Sequence, residues 1–220
     1  MNTFYLFGDS VLKGVTFSAE KNAYSIHRRK LELPEGAELV NRAVFGATAP
    51  KVYAELEKRL PVDAEGDTVI FSFGGNDSDH DWNLVSMEPE KEHSPKTPAS
   101  EFSECFVKCV ELARSRGARV LASSLVPIDA ARFMARISRG LSRENILRWL
   151  GDESMLYRWH EHYDGIIRRL TGEMNVPLID LREPFLLSHD FRGLLSADGI
   201  HPTERGHCLI DGTLSGALAL

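Results

Sequence analysis

The chain of 220 residues has the length of one medium-sized α/β domain, and its hydrophobic share of 43% and charged share of 26% exclude a mainly disordered state. A net charge of -6 argues against a protein that coats nucleic-acid phosphates or an anionic membrane. No apolar run approaches the roughly 18 residues that a membrane span requires. We therefore expect a single domain over residues 1–220, with no nucleic-acid partner and no stable membrane insertion.

The start of the chain and its cysteines bear on cellular location. Met1 is followed almost at once by strand-like residues, without a basic region, an apolar stretch or a small-residue cleavage site. Three cysteines, an odd number, fit a reducing compartment better than a disulfide framework. The sequence predicts a cytoplasmic protein, unless a leader has been removed.

Apolar runs bounded by turn residues alternate with helical periodicity, which is typical of βαβ units around a parallel sheet. The pattern predicts strands near residues 3–8, 37–41, 68–73, 119–125 and 176–180, with helices between them. The runs TVIFSF and RVLASSL contain too few polar residues for half-exposed strands, so we expect them at the centre of the sheet. The predicted fold is α/β, with a doubly wound parallel sheet between two layers of helices.

Two segments exceed the usual short connections. Residues 78–99 are polar and contain proline, and they predict a long loop after the third strand, whereas residues 128–157 predict a helical insertion after the fourth. Four arginines in the insertion are spaced four, three and four residues apart, so we expect them on one helical face: Arg132, Arg136, Arg139 and Arg143. They form either a solvated face or a lid that favours anionic or polyhydroxyl substrates.

Polar or glycine residues follow the first three predicted strands. Ser10 ends the run FYLFGDS, Gly46 lies in the loop NRAVFGA, and Asn76 lies in FGGND. In open parallel sheets, ligands bind beyond the carboxyl ends of the strands, where these loops converge. On the tripeptide GDS alone, a reactive Ser10 and a Ser10 that merely caps the next helix are equally good interpretations. The other two loops favour the reactive serine.

Near the end of the chain, the stretch SADGIHPTERGH sets Asp198 three residues before His201. On a tight turn this spacing lets the carboxylate hold the Nδ1–H of the imidazole and leaves Nε2 free as a base. A nucleophile, a base, an orienting carboxylate and several hydrogen-bond donors are the groups that acyl transfer requires. This chemistry needs no metal ion, and we expect no cofactor.

Together these motifs resemble those of the SGNH hydrolases, the GDSL esterase and lipase group. In family order they are Gly8-Asp9-Ser10, Gly46, Gly74-Gly75-Asn76-Asp77 and Asp198-Gly199-Ile200-His201. The resemblance implies a five-stranded flavodoxin-like sheet and a triad of Ser10, His201 and Asp198. It implies an oxyanion hole made by the backbone amides of Ser10 and Gly46 and by the side chain of Asn76.

The resemblance also implies a substrate class. It predicts hydrolysis of a small-molecule O-acyl ester with a short-chain or acetyl group, and an acylated carbohydrate is one candidate. A lysophospholipase or a thioesterase of the same family is the alternative. The long helical insertion departs from the commonest family pattern and bears on the substrate rather than on the chemistry.

Two non-enzymatic alternatives stay open. Four acids occupy positions 1, 3, 5 and 12 of an EF-hand calcium loop: Asp77, Asp79, Asp81 and Glu88. Against calcium, Trp82 stands where that loop requires glycine, and the preceding FSFGG is strand-like. The second alternative is a ligand-binding domain without catalysis, because fold alone does not imply function.

Other aromatic and histidine side chains are interpreted structurally. His160 and His162 are two residues apart on a predicted helix, so they face different sides and make a poor metal pair. His207 is expected to pack beneath the site. Packing of the insertion is expected of three further residues: Trp149, Tyr157 and Trp159.

Overall fold

The computed structural model describes residues 2–219. Its strands are β1 (Thr3–Gly8), β2 (Val15–Ser18), β3 (Ala23–Ile26), β4 (Glu38–Asn41), β5 (Thr68–Ser72), β6 (Arg119–Ser123) and β7 (Leu178–Ile179). Its helices are α1 (Ser10–Lys13), α2 (Ala49–Arg59), α3 (Trp82–Met87), α4 (Ala99–Ser115), α5 (Ala130–Ile137), α6 (Arg143–Leu150), α7 (Ser154–Glu173), α8 (Arg182–Leu186), α9 (Phe191–Leu194) and α10 (Glu204–Leu218).

Five strands form one parallel sheet in the order β4-β1-β5-β6-β7. Because side chains alternate between the faces of a strand, Tyr5 and Phe7 of β1 join the core beneath α2, α4 and α7. Phe4 and Leu6 join a second core beneath α8 and α10. The predicted α/β/α layering is confirmed, and the strand order is that of flavodoxin-like folds. The last two strands are shorter than predicted, since β6 ends at Ser123 and β7 has only two residues.

A two-stranded antiparallel hairpin, β2 with β3, precedes β4 and was not predicted from the sequence. His27, just after the hairpin, ties it to α10: its Nδ1 lies 2.7 Å from Oε1 of Glu204 and its Nε2 lies 3.0 Å from Oδ2 of Asp211. His207 packs beneath, as expected, with its ring stacked on His27 and its Nε2 2.9 Å from the carbonyl oxygen of Val15. The hairpin is thereby held beside the carboxyl end of the sheet.

The insertion after β6 consists of α5, α6 and the first turns of α7, so the prediction of one helical face for its four arginines is wrong. Helix α5 ends at Ile137, and Gly140 has a φ of 73°, which turns the chain. Ser142 then caps α6, since its hydroxyl accepts a hydrogen bond from the backbone N–H of Asn145 at 3.2 Å. The turn residues between the helices outweigh the regular arginine spacing.

The insertion has a small core of its own that joins α3 to α5, α6 and α7. Its buried members include Trp82 of α3, Met134 of α5, Ile146 of α6 and Leu156 of α7. This core lies next to the loop that follows β5, so the insertion covers one side of the carboxyl edge of the sheet. Within residues 2–219, no helix combines the length and the apolar character needed to cross a membrane.

The four acids of the proposed calcium loop hold separate partners. Asp77 accepts a hydrogen bond from the backbone N–H of Ala49 at 2.8 Å. Asp79 accepts one from Nε1 of Trp82, while Asp81 caps α3 and Glu88 pairs with a lysine. Among the described residues, no three His, Cys, Asp or Glu side chains are grouped for a metal ion. This arrangement does not favour the calcium alternative.

Candidate active site

Ser10 opens helix α1 at the carboxyl edge of the sheet, directly after β1. Glycine is required two residues earlier, because a Cβ on Gly8 would lie 2.0 Å from the carbonyl oxygen of Ser72 on β5. Asp9, not Ser10, caps α1: its side chain accepts a hydrogen bond from the backbone N–H of Val11 at 2.9 Å. The hydroxyl of Ser10 is therefore left for another partner.

That partner is His201, which lies at the opposite end of the chain. The Oγ of Ser10 is 3.0 Å from Nε2 of His201, and Nδ1 of the same ring is 2.7 Å from Oδ2 of Asp198. The second carboxylate oxygen of Asp198 accepts hydrogen bonds from the backbone N–H groups of Ile200 and His201, at 3.2 and 3.1 Å. The three side chains are buried and form a continuous hydrogen-bonded chain.

Burial and hydrogen bonding act on Asp198 in opposite directions. Burial raises its pKa, but the hydrogen bonds from the His201 ring and the two backbone amides lower it, and the resulting pKa lies below the ordinary value. Asp198 is therefore ionised at neutral pH and can hold the imidazole in the form that carries its proton on Nδ1. Nε2 then directs its lone pair at the hydroxyl of Ser10.

Two of the three predicted oxyanion donors, Gly46 and Asn76, lie in neighbouring loops, and the third is the backbone amide of Ser10. The side-chain amide of Asn76 donates a hydrogen bond to the carbonyl oxygen of Ala47 at 3.0 Å, which orients it and leaves its second N–H available. Gly46 has a φ of 68° and lies on the surface of the turn after β4. Its neighbour Phe45 stacks on the ring of His201, with the centroids 5.8 Å apart.

Two further carboxyl groups lie buried beside the triad. Burial raises the pKa of Asp9 to about 7, against the hydrogen bond from Val11, and it raises the pKa of Asp77 to about 6. Asp77 fixes the start of α2 through Ala49, and Asp9 fixes the start of α1. These two side chains position the loops that carry the predicted donor groups.

A pocket opens beside Ser10 and Asn76 and reaches the insertion. Its walls are mainly apolar and aromatic, and they come from α3, the segment after β6, helices α5 and α7, and the turn before His201: Trp82, Ile128, Phe133, Leu156, Trp159 and Ile200. Such a lining is typical of a site for an apolar part of a ligand.

Several residues of this site were not singled out as functional from the sequence. Trp159 lines the pocket instead of only packing the insertion, and His160 lines it as well. Trp159 and His160 lie three and four residues after Leu156 on α7, so the three side chains share one helix face. That spacing was a signal in the sequence, but only the packing of α7 against the loop after β5 reveals which face it is.

None of the four insertion arginines is among the described residues that line the pocket. Arg132 donates hydrogen bonds to the carbonyl oxygens of Arg192 and Leu195, at 2.8 and 2.9 Å. The guanidinium carbon of Arg136 lies 5.2 Å from the ring centre of Phe17 on the hairpin, and the exposed Arg143 pairs with the partly buried Glu153. Arg136 is next to a residue that contacts His201, since its Nη2 lies 3.4 Å from the hydroxyl of Tyr24.

A curated relative and two solved structures resemble this chain. The relative, GDSL esterase/lipase CPRD49 of Arabidopsis thaliana, is 23% identical over 183 residues, which are 81% of this chain and 65% of the relative. The lipase/acylhydrolase from Enterococcus faecalis superposes with a TM-score of 0.65 at 17% identity, over 99% of this chain and 95% of that chain. Est24, a carbohydrate acetylesterase from Sinorhizobium meliloti, superposes with a TM-score of 0.63 at 14% identity, over 100% and 99%.

At these sequence identities the two solved structures show a shared fold only. The chain spans less than two thirds of the length of the plant relative. The family itself is shown by a match along the sequence. The model of the GDSL-like Lipase/Acylhydrolase family matches residues 6–209, which include all the motifs described above. This chain therefore belongs to the GDSL-like lipase/acylhydrolase family.

Proposed function

We propose that the protein hydrolyses small-molecule carboxylic esters through an acyl-enzyme intermediate on Ser10. The observation that carries this proposal is the continuous chain from Ser10 Oγ to His201 and on to Asp198, with distances of 3.0 and 2.7 Å. This is the arrangement in which an imidazole activates a serine while a carboxylate holds the ring. A ligand-binding domain without catalysis has no need of this chain of groups.

In the proposed reaction His201 moves the proton. Its Nε2 takes the proton of Ser10 as Oγ attacks the ester carbonyl, and Asp198 stabilises the imidazolium that results. The negative charge that forms on the carbonyl oxygen accepts hydrogen bonds from the amides of Ser10 and Gly46 and from Asn76. His201 then protonates the leaving alcohol, and the same residue activates the water that releases the acid.

We assign the two parts of the ester to the two sides of the site. The leaving alcohol takes its proton from His201, whose ring contacts the half-exposed side chains of Tyr24 and Phe45. The alcohol therefore lies on this open side, where the two rings offer stacking surfaces for an acylated carbohydrate. The acyl group lies in the apolar pocket between Asn76 and Trp159.

The pocket also supports a second candidate substrate class. The pocket wall includes Ile128, Phe133 and Trp159 besides the residues next to Ser10, and burial of each further methylene against apolar side chains contributes about 0.8 kcal/mol. A thioester or a lysophospholipid with a longer acyl chain is therefore the alternative to a short-chain ester.

The cytoplasmic location of the protein stays a prediction from the sequence.

A series of para-nitrophenyl esters of increasing acyl length tests both points. We expect the wild-type protein to hydrolyse the acetate and Ser10→Ala to lose that activity while its unfolding temperature stays close to that of the wild type. A specificity constant that rises beyond the acetate supports use of the pocket by the acyl group. Equal rates for the wild type and Ser10→Ala would contradict the proposed reaction.

A further inference from the structure

The pocket contains a polar side chain that the proposed reaction does not use. His160 of α7 is only 6% exposed, and it lines the pocket together with Gly75 of the loop after β5. Its Nε2 lies 3.6 Å from the position that a Cβ on Gly75 would occupy. Gly75 carries no side chain, so this edge of the imidazole borders the open space of the pocket.

The opposite edge of the ring is sealed. Nδ1 of His160 is buried and has no hydrogen-bond partner among residues 2–219. Buried polar atoms in proteins nearly always have a partner, and one without a partner requires an explanation. A histidine that lines the pocket at the cost of desolvating its polar atoms indicates that its accessible nitrogen, Nε2, binds a ligand.

The charge state of His160 narrows the chemistry of that ligand. Burial, with a smaller effect of the nearby Arg182, lowers the pKa of His160 to about 3, so the ring is neutral at the pH of ordinary enzyme assays. A neutral ring does not attract an anion, and it offers either one N–H or one lone pair at Nε2. A hydroxyl group is the ligand group that pairs with either form, because it both donates and accepts.

The surroundings of His160 place this contact in the part of the pocket assigned to the acyl group. The neighbouring walls are aromatic, from Trp82 and Trp159, and the next residue after Gly75 is the oxyanion candidate Asn76. The hydroxyl of Ser78, which also lines the pocket, is already bonded to the carbonyl oxygen of Gly75 at 3.0 Å. His160 is thus a buried polar group of the pocket that is left for a ligand.

We propose that the pocket selects acyl groups that carry a hydroxyl, and that His160 is the residue that recognises this hydroxyl through Nε2. The inference rests on the proposed ester hydrolysis and names its substrate class more closely. A site built to hydrogen-bond a hydroxyl discriminates against the analogue that lacks it, because the polar group of the protein then stays unpaired.

Matched ester pairs test this inference. We compare para-nitrophenyl esters of para-hydroxyphenylpropanoate and para-methylphenylpropanoate, and of omega-hydroxyhexanoate and heptanoate, in which a hydroxyl replaces a methyl. The wild type is expected to prefer the hydroxyl member of at least one pair by about tenfold in kcat/KM, the size of one net hydrogen bond. In His160→Phe the ratio is expected to fall to about one, and in His160→Gln, whose amide reaches a similar place, part of the preference returns.

His162→Phe is the matched control, because His162 is an exposed histidine on the same helix and does not line the pocket. It is expected to keep the ratio of the wild type. A ratio near one for both pairs in the wild type, or a preference that survives in a folded His160→Phe, would overturn the inference.

Failure of the proposed reaction would give a different result. The wild type would then hydrolyse para-nitrophenyl acetate no faster than Ser10→Ala does. In that case the inference is tested by the thermal unfolding of the protein in the presence of the free acids. The hydroxy acid then raises the Tm of the wild type more than its methyl analogue does, since ligand binding stabilises the folded state. Equal shifts for the two acids, or a difference that persists in His160→Phe, would overturn the inference without any turnover.

Discussion

The ring of Tyr24 meets the imidazole of His201 edge-on, with their centroids 5.3 Å apart, and connects the small hairpin to the triad. Tyr24 also contacts Phe45 from the loop after β4, at 5.0 Å. Two segments that are about twenty residues apart in sequence therefore border the same side of the His201 ring. This relationship underlies our assignment of the leaving alcohol to the open side of the site.

Tyr24→Ala is expected to weaken hydrolysis of acylated sugars more than hydrolysis of para-nitrophenyl acetate. An aromatic ring offers a stacking surface to a sugar, and its loss raises KM by several-fold for an interaction worth about 1 kcal/mol. Tyr24→Phe, which keeps the ring, is expected to retain most of the activity on sugars. Steady-state kinetics on both substrates check this, and an equal loss on both would contradict the assignment.

Two insertion arginines form a matched pair for the lid hypothesis. Arg136 lies beside Tyr24 and Phe17, whereas the exposed Arg143 pairs with the partly buried Glu153. Arg136→Gln is expected to raise KM several-fold for anionic or polyhydroxyl alcohols, and Arg143→Gln is expected to change it by less than about twofold. Equal effects of the two substitutions, measured on one anionic ester, would show that the arginines act only through the general charge of the protein.

Glycine at position 8 is expected to be indispensable to the geometry of the site. Gly8→Ala places a Cβ 2.0 Å from a backbone oxygen of β5, so the first strand has to shift and Ser10 shifts with it. We expect a loss of about 2 kcal/mol or more in the free energy of unfolding. Gly212→Ala is the control: it lies in α10 with open space around it and is expected to stabilise by about 0.5 to 1 kcal/mol. Urea unfolding of both variants measures this, and a neutral Gly8→Ala would refute the close approach.

The buried carboxyl of Asp9 is expected to make the protein less stable as pH rises. Its pKa is 3.8 ordinarily and about 7 in the folded protein, so between these values the folded state holds a proton that the unfolded chain has released. The free energy of unfolding therefore falls as pH rises through this range. Asp77, with a pKa of about 6, acts in the same direction.

Asp9→Asn keeps a side-chain oxygen for the helix cap and removes the titration. Between about pH 5 and about pH 8 the wild type is expected to lose about 2 to 3 kcal/mol more than the variant. Urea unfolding at the two pH values gives the comparison. Parallel losses in the two proteins would show that Asp9 does not titrate in this range.

Much of the sheet and the position of the triad residues were predictable because local signals agree there. The continuous apolar runs mark buried strands, and Ser10, Asn76 and His201 each follow a turn marked by glycine. The spacing of Asp198 and His201 is short, so a tight turn alone brings the two side chains together. Parallel topology then determines which ends of the strands meet.

The remaining features depend on contacts that are distant in sequence. The hairpin has strands of four residues, and the side chains of β3 are exposed, so its apolar pattern is weak. The arginine spacing alone predicts one helix, but the chain leaves the helix at Ser138 and turns at Gly140. The position of His160 beside Gly75 depends on the packing of α7 against the loop after β5, a contact that is distant in sequence.

The central claim is that Ser10 is the nucleophile, and covalent labelling tests it most directly. Intact mass spectrometry after treatment with a fluorophosphonate, followed by peptide mapping, reports how many serines react and which ones. We predict one adduct on the wild type, located on the peptide that contains Ser10, formed much more slowly in His201→Ala and absent in Ser10→Ala. An adduct of equal yield on Ser10→Ala would contradict the account.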